Sequence, residues 1–145
     1  MNTADLPRHS VSVAGIVFDD HDRVLAIRRR DNDQWQPPGG VLELGETFED
    51  GVRREVLEET GIHVRVERLT GVYKNMNMRV VALVFRCTAV GGTPHTTDES
   101  NEVQWLDIAE AVALMPPTFA VRVEDALLPA AAHRAHDGTT VFTSA

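Results

Sequence analysis

Between positions 40 and 62 the chain reads GVLELGETFEDGVRREVLEETGI, a segment with six glutamates, one aspartate and two arginines. Glu55, Glu58 and Glu59 stand at i, i+3 and i+4, spacings at which like charges on a helix repel by a few tenths of a kcal/mol per pair. At about 100° per residue the three fall within a wedge of roughly 100°, beside an apolar stripe of Phe48, Val52 and Val56. Carboxylates gathered at the edge of a buried face suit a hard divalent cation, Mg²⁺ or Mn²⁺, which turns repulsion into coordination. Arg54 is placed to orient one of them. The competing reading is a solvated acidic helix face, the commoner fate of a charge run.

The residues around the triplet decide between these readings. Gly40, Glu46, Arg54, Glu55, Val56, Glu58, Glu59, Gly61 and Ile62 fill every fixed position of the pattern G-x5-E-x7-R-E-U-x-E-E-x-G-U, where U is apolar. At ordinary residue frequencies such a match arises by accident on the order of one time in ten million. The segment resembles the signature box of the Nudix (MutT-like) hydrolases. The preceding LAIRRRDNDQWQPPGG resembles that family's strand, loop and Pro-Gly-Gly entry, and the likeness covers positions 11 to 115.

The resemblance implies an α/β/α sandwich and hydrolysis of a nucleoside diphosphate linked to a moiety X, by attack of water on phosphorus with Mg²⁺ or Mn²⁺ as cofactor. Carried over by position, Glu55, Glu58 and Glu59 are implied as metal ligands, with the Gly40 carbonyl as a further one. Glu58 or Glu59 is implied as the group that deprotonates water, and Glu46 and Arg54 as residues holding the loop and the ligand geometry. Arg29 matches the family's phosphate-contacting position. A late carboxylate, ligand or base, falls on Glu99 or Glu102. A strand starting near Glu102 sets it beside Gln104 and opposite Val103 and Trp105, which points it to solvent. Glu99, in the polar loop DESN, is therefore favoured.

Trp35, Tyr73 and Phe119 are the aromatics available to stack on a base, although Trp35 equally suits bracing the Pro-Pro-Gly-Gly loop. Asn75 and Asn77 suit either a base edge or a turn. His133 and His136 lie near a polar tail with no carboxylates around them and read as a solvated helix end. Arg28 and Arg30 read as solvated strand-end charges. No proline stands near Asn77, where many ADP-ribose hydrolases carry one, and no coenzyme A signature precedes the box. The compact chain favours a nucleoside triphosphate, normal or modified. A Nudix-fold nucleotide-binding or regulatory module without turnover is the alternative, disfavoured by the complete box. A diphosphate isomerase would need Cys87 as its acid or base.

These groups need a scaffold, and 145 residues are enough for one domain with its own core. The composition, 43% hydrophobic and 25% charged, is that of a globular chain. A net charge of -8 argues against binding a nucleic-acid polymer yet permits an acidic metal site that takes a phosphate. A single cysteine, no signal-like N-terminus and no long apolar run predict a cytoplasmic protein that contacts no membrane. Its partner is a small nucleotide derivative, and a homodimer is compatible with the reading.

Apolar and β-branched runs predict strands over 11–18 and 23–29, joined by a DDHD turn, then over 64–72, 79–89 and 102–106. Thr47, Asp50 and Gly61 predict a capped helix over 48–60. Asp107 is expected to cap a short helix, and a helix kinked at Pro129 is expected over 119–134. The result is an α/β (α+β) domain over 1–145 with a central mixed sheet and polar tails at 1–9 and 136–145.

Overall fold

The computed structural model of the protein describes residues 2–143. In chain order it contains β1 (Ser10–Phe18), β2 (Arg23–Arg29), β3 (Trp35–Gln36), β4 (Gly39–Val41), α1 (Phe48–Thr60), β5 (Ile62–Asn75), β6 (Val80–Gly92), β7 (Ser100–Asp107), α2 (Ile108–Leu114), α3 (Pro117–Asp125) and β8 (Ala132–His136). The strands form one mixed sheet ordered β3-β2-β1-β6-β5-β8, with β4 added on β1 and β7 on β2. The β1–β6 and β5–β8 pairs are parallel and the others antiparallel. Among the described residues no helix is long and apolar enough to cross a membrane.

The period of two along each strand sorts the core into two layers. Val13 and Val17 of β1, Leu25 of β2, and Phe85 and Cys87 of β6 meet Val52 and Val56 of α1. Ala14, Ile16, Phe18, Val24, Ala26, Ala82 and Val84 point the other way, onto Ala111, Met115, Ala120 and Val123 of α2 and α3. Helices therefore cover both faces. Gly15 lets α1 lie close, since a Cβ there would stand 3.2–3.3 Å from Val56, Cys87 and Val52. Cys87 is buried among these side chains, and burial pushes its thiol up to about 12.

The DDHD turn is stapled by Asp19, whose Oδ1 accepts the N–H groups of His21 and Arg23. Asp107 precedes α2, but its side chain makes no capping hydrogen bond. The larger departure lies near the C-terminus. The helix expected over 119–134 stops at Asp125, and Ala132–His136 is a strand parallel to β5. Pro129 supplies no N–H to a helix. The carbonyls just past the end of α3 are held by arginines, Arg86 reaching Ala126 at 3.0 Å and Arg68 reaching Leu128 at 2.8 Å. The tail expected from position 136 begins later than the sequence suggests. His136 is buried in β8, and Val141 pairs back on it.

Candidate active site

Helix α1 starts where the Thr47 hydroxyl accepts the Asp50 N–H at 3.2 Å and stops at Gly61, whose φ of 80° is left-handed. With Val52 and Val56 against the sheet, Glu55 and Glu59 are turned toward β4 and the Pro-Gly-Gly loop. Gly40 lets the Glu55 carboxylate lie against the backbone, because a Cβ there would stand 2.7 Å from the carboxyl carbon and both its oxygens and would push it aside. The backbone of β4 and the carboxylate thus meet in this position of Glu55 because residue 40 has no side chain.

Glu59 is pushed up to about 9, chiefly by burial, then by its hydrogen bond to Glu55 and the charges of Glu55 and Glu99, while a backbone contact with Gly39 pulls the other way. Without a cation, burial beside the Glu55 carboxylate keeps Glu59 protonated at neutral pH. Glu58 stands apart. Its side chain is 62% exposed and is drawn toward Arg54 at 3.3 Å. The three carboxylates expected to converge are therefore two plus an outlier, and among the described residues no three acidic, histidine or cysteine side chains are arranged to bind a metal.

Arg54 explains the division. It donates to both oxygens of Glu46, at 2.6 and 2.9 Å, to Glu55 at 2.9 Å and to the Val41 carbonyl at 3.2 Å. Those hydrogen bonds hold Glu46 down at about 2. Glu46 also accepts the Glu43 N–H at 2.9 Å, so the loop before α1 is tied to the helix through one guanidinium.

Arg28 and Arg29 point to opposite faces, as a strand dictates. Arg29 lies on the α1 side, where Asp31 grips it with two bonds of 2.8 and 2.9 Å and the charges of Glu99 and Glu59 act on it. Arg28 lies on the other side, paired with Glu102 at 2.5 Å and 5.9 Å from the Trp35 ring centroid. Trp35 packs against the α2–α3 layer. It is not among the residues that line the cleft described below, and this packing suits bracing of the Pro-Pro-Gly-Gly loop. Glu102 is half-buried against Arg28, not turned to solvent.

Strand β7 begins at Ser100, two residues earlier than expected, and its register with β2 shifts between Arg28 and Arg29. That irregularity sets Glu102 on the Arg28 side and leaves Glu99 beside Arg29, with its charge acting on Glu59. The loop is not loose. Arg30 donates to the carbonyls of Asp98 and Ser100, both at 3.1 Å, and its own N–H goes to the Glu99 carbonyl at 2.9 Å. Arg30 is a strap, where composition alone read a solvated charge.

From Arg29, Gly39 and Gly40 a cleft of about 340 Å³ runs across the sheet to Phe119, Arg122 and His136. Its far wall comes from α3 and β8, the stretch whose strand the sequence hid. Tyr73, 1% exposed, donates to Asp125 at 2.7 Å, and Asp125 takes both ends of Arg134 at 2.7 Å. Arg122 rests on the rings of Tyr73 and Phe119, 5.0 and 5.1 Å from their centroids. No motif marks these residues. An arginine and an aspartate in an alanine-rich helical stretch read as solvated, and only the pairing of β8 with β5 buries them.

A carboxylate pair against a glycine backbone, braced by an arginine hub and opening on a cleft, is what the box pattern anticipates, and comparison with known proteins agrees. The NUDIX domain family matches residues 8–130. The chain belongs to the Nudix family. A MutT-like protein of Streptomyces ambofaciens is 56% identical over 133 residues, 91% of this chain and 86% of the relative. The ADP-ribose pyrophosphatase of Methanocaldococcus jannaschii is 35% identical over 68% of this chain and 62% of its own length. Among solved structures, a NUDIX hydrolase from Nitrosomonas europaea superposes with a TM-score of 0.76 at 23% identity, over 90% of this chain and 81% of that one. This last likeness supports the α/β/α fold alone. The chain is thus an enzyme of the Nudix hydrolase family.

Proposed function

We propose that this Nudix protein hydrolyses a nucleoside diphosphate linked to a moiety X, with Mg²⁺ or Mn²⁺, and that its substrate is a small nucleotide such as a normal or modified nucleoside triphosphate. The observation that carries the reading is the Glu55–Glu59 pair, crowded enough to retain a proton, set against Gly40 at the head of the cleft. Two oxygen-donor groups that repel when ionised fit a hard cation. Glu55, Glu59 and the Gly40 carbonyl would hold it, with Glu58 joining after leaving Arg54. When bound, the cation supplies neutralisation of phosphate charge and alignment of the reacting groups.

The chain's own residues do the rest. Arg29, aligned by Asp31, offers a planar, always-charged fork to phosphate oxygens. Arg54 and Glu46 fix the loop so that Gly40 and Glu55 keep their contact. Glu99, beside Arg29 and with its charge reaching Glu59, takes the proton of the attacking water, a role that Glu58 or Glu59 would fill otherwise. The acidic surface, net charge -8, disfavours a nucleic-acid polymer, and a cytoplasmic location suits the single buried thiol.

Among relatives, one is named an ADP-ribose pyrophosphatase and another, from Bacillus subtilis, a putative 8-oxo-dGTP diphosphatase. Those names frame the test. Purified protein with Mg²⁺ is offered nucleoside triphosphates, ADP-ribose, dinucleotides and nucleotide sugars, and both products are identified by mass. Release of a nucleoside monophosphate from at least one class is expected. Tight binding with no turnover across the panel would instead establish a non-catalytic binding module.

A further inference from the structure

Arg122 is 9% exposed, and its Nε is sealed from solvent with no hydrogen-bond partner. Among the described residues its guanidinium forms neither a hydrogen bond nor an ion pair, and Asp125, one turn along α3, is bound by Arg134 and Tyr73. The Tyr73 and Phe119 rings offset part of its charge but accept none of its N–H groups, and a buried guanidinium with no acceptor is a costly arrangement for a fold to keep. It lines the cleft, so the missing partner belongs to what the cleft binds.

Its neighbours sharpen the chemistry. Asn75 stands opposite His136 in the β5–β8 register. The Asn75 side-chain oxygen accepts the N–H groups of Asn77 and Met78, at 3.1 and 3.0 Å, which leaves its NH₂ free to donate. His136 Nδ1 accepts the Gly138 N–H at 3.0 Å, so the neutral ring carries its proton on Nε2. Burial, and next the Arg122 charge, lower the His136 pKa and keep it neutral. Three side chains at this end thus offer donors, and of the polar side chains that α3 and β8 contribute to the cleft lining, Thr118, Arg122 and His136, the Thr118 hydroxyl is the adaptable one. Gln36, whose amide can also accept, lies by Pro37 at the start of the Pro-Gly-Gly loop.

We infer that the far end of the cleft selects a keto nucleobase, one that presents acceptors and no amino group to it, with Arg122 as the selecting residue. A 6-oxopurine offers O6 and N7 and a 4-oxopyrimidine offers O4, whereas adenine and cytosine turn an amino donor toward the same place. Donor facing donor leaves both groups unpaired, and sites built on such pairing discriminate strongly. The inference rests on reading the site as one for a nucleoside diphosphate derivative, and it adds which bases are admitted.

The test compares kcat/KM for GTP, UTP, ATP and CTP in the wild type, Arg122→Met and Arg122→Gln, alongside binding of the four nucleoside monophosphates in EDTA. Guanine and uracil are expected to lead adenine and cytosine by about tenfold or more in the wild type. In Arg122→Met the four should fall within about threefold, while the ligand-free protein melts no lower than wild type, because an unpaired buried charge is gone. Arg122→Gln, which adds an acceptor, should bring adenine level with guanine. A wild type indifferent to keto and amino bases, or an Arg122→Met that keeps the preference, overturns the inference; so does a marked fall in the melting point of Arg122→Met with adenine still rejected by Arg122→Gln. Keto preference in monophosphate binding with no turnover of any triphosphate would sustain it while refuting the hydrolase reading.

Discussion

Glu59 is the residue on which the site turns. A carboxyl held at about 9 is protonated in the folded, cation-free protein at neutral pH, whereas in the unfolded chain it is ionised above about 4.3. The unfolded state therefore binds fewer protons between those values, and stability falls as pH rises through that window. Below it both states are protonated and the loss disappears. The expected outcome is a cation-free melting temperature that declines from pH 5 to pH 8 more steeply in the wild type than in Glu59→Gln, measured in EDTA. Glu59→Gln should also turn over substrate about a hundredfold more slowly. Parallel pH–stability curves for the two proteins would show that Glu59 is not the strained group. The triplet was legible because its spacing is helical and its box complete. That Glu58 would be drawn away was not, since only the Arg54 hub decides it and hub geometry depends on the fold.

At the scale of elements, β7 separates two glutamates that sequence could rank but not place. The register shift beside Arg28 and Arg29 puts Glu102 in an ion pair with Arg28 and leaves Glu99 beside Arg29, with its charge acting on Glu59. Glu99→Gln is expected to lower kcat about a hundredfold, and Glu102→Gln to change it by less than about threefold, since partly exposed pairs contribute little. Rate constants at saturating substrate and Mg²⁺ check this, and equal losses would mean that the Arg28 side reaches the chemistry. Glu102 is set aside by its pairing with Arg28 on the opposite face, not by full exposure to solvent. Helix α1 was readable to the residue from Thr47 and Gly61. The α3–β8 segment was not, because alanine-rich sequence favours helix locally while the hydrogen-bonding edge of β5 and the Asp125–Arg134 pair favour a strand.

The whole molecule is a mixed sheet between α1 and the α2–α3 pair, and the cleft links these two layers' contributions: charge chemistry from α1 and β4 at one end, donors from α3 and β8 at the other. The strand pattern and the box anticipated the first layer and five strands of the sheet, β1, β2, β5, β6 and β7, because periodicity and local motifs are written in contiguous residues; the short β3 and β4 and the late β8 carry too little pattern to show. The second end joins Tyr73 and Asn75 to residues about sixty positions later through parallel strand pairing, which leaves no local mark. The central claim is that the Glu55–Glu59 pair holds a divalent cation for hydrolysis. Titrating the cation-free protein calorimetrically with Mn²⁺ at pH 7, in buffers of different ionisation enthalpy, counts the protons released on binding. The account predicts saturable binding with release of about one proton, the one Glu59 retains, and loss of that release in Glu59→Gln. Binding with no proton release, or a release unchanged in Glu59→Gln, would contradict it.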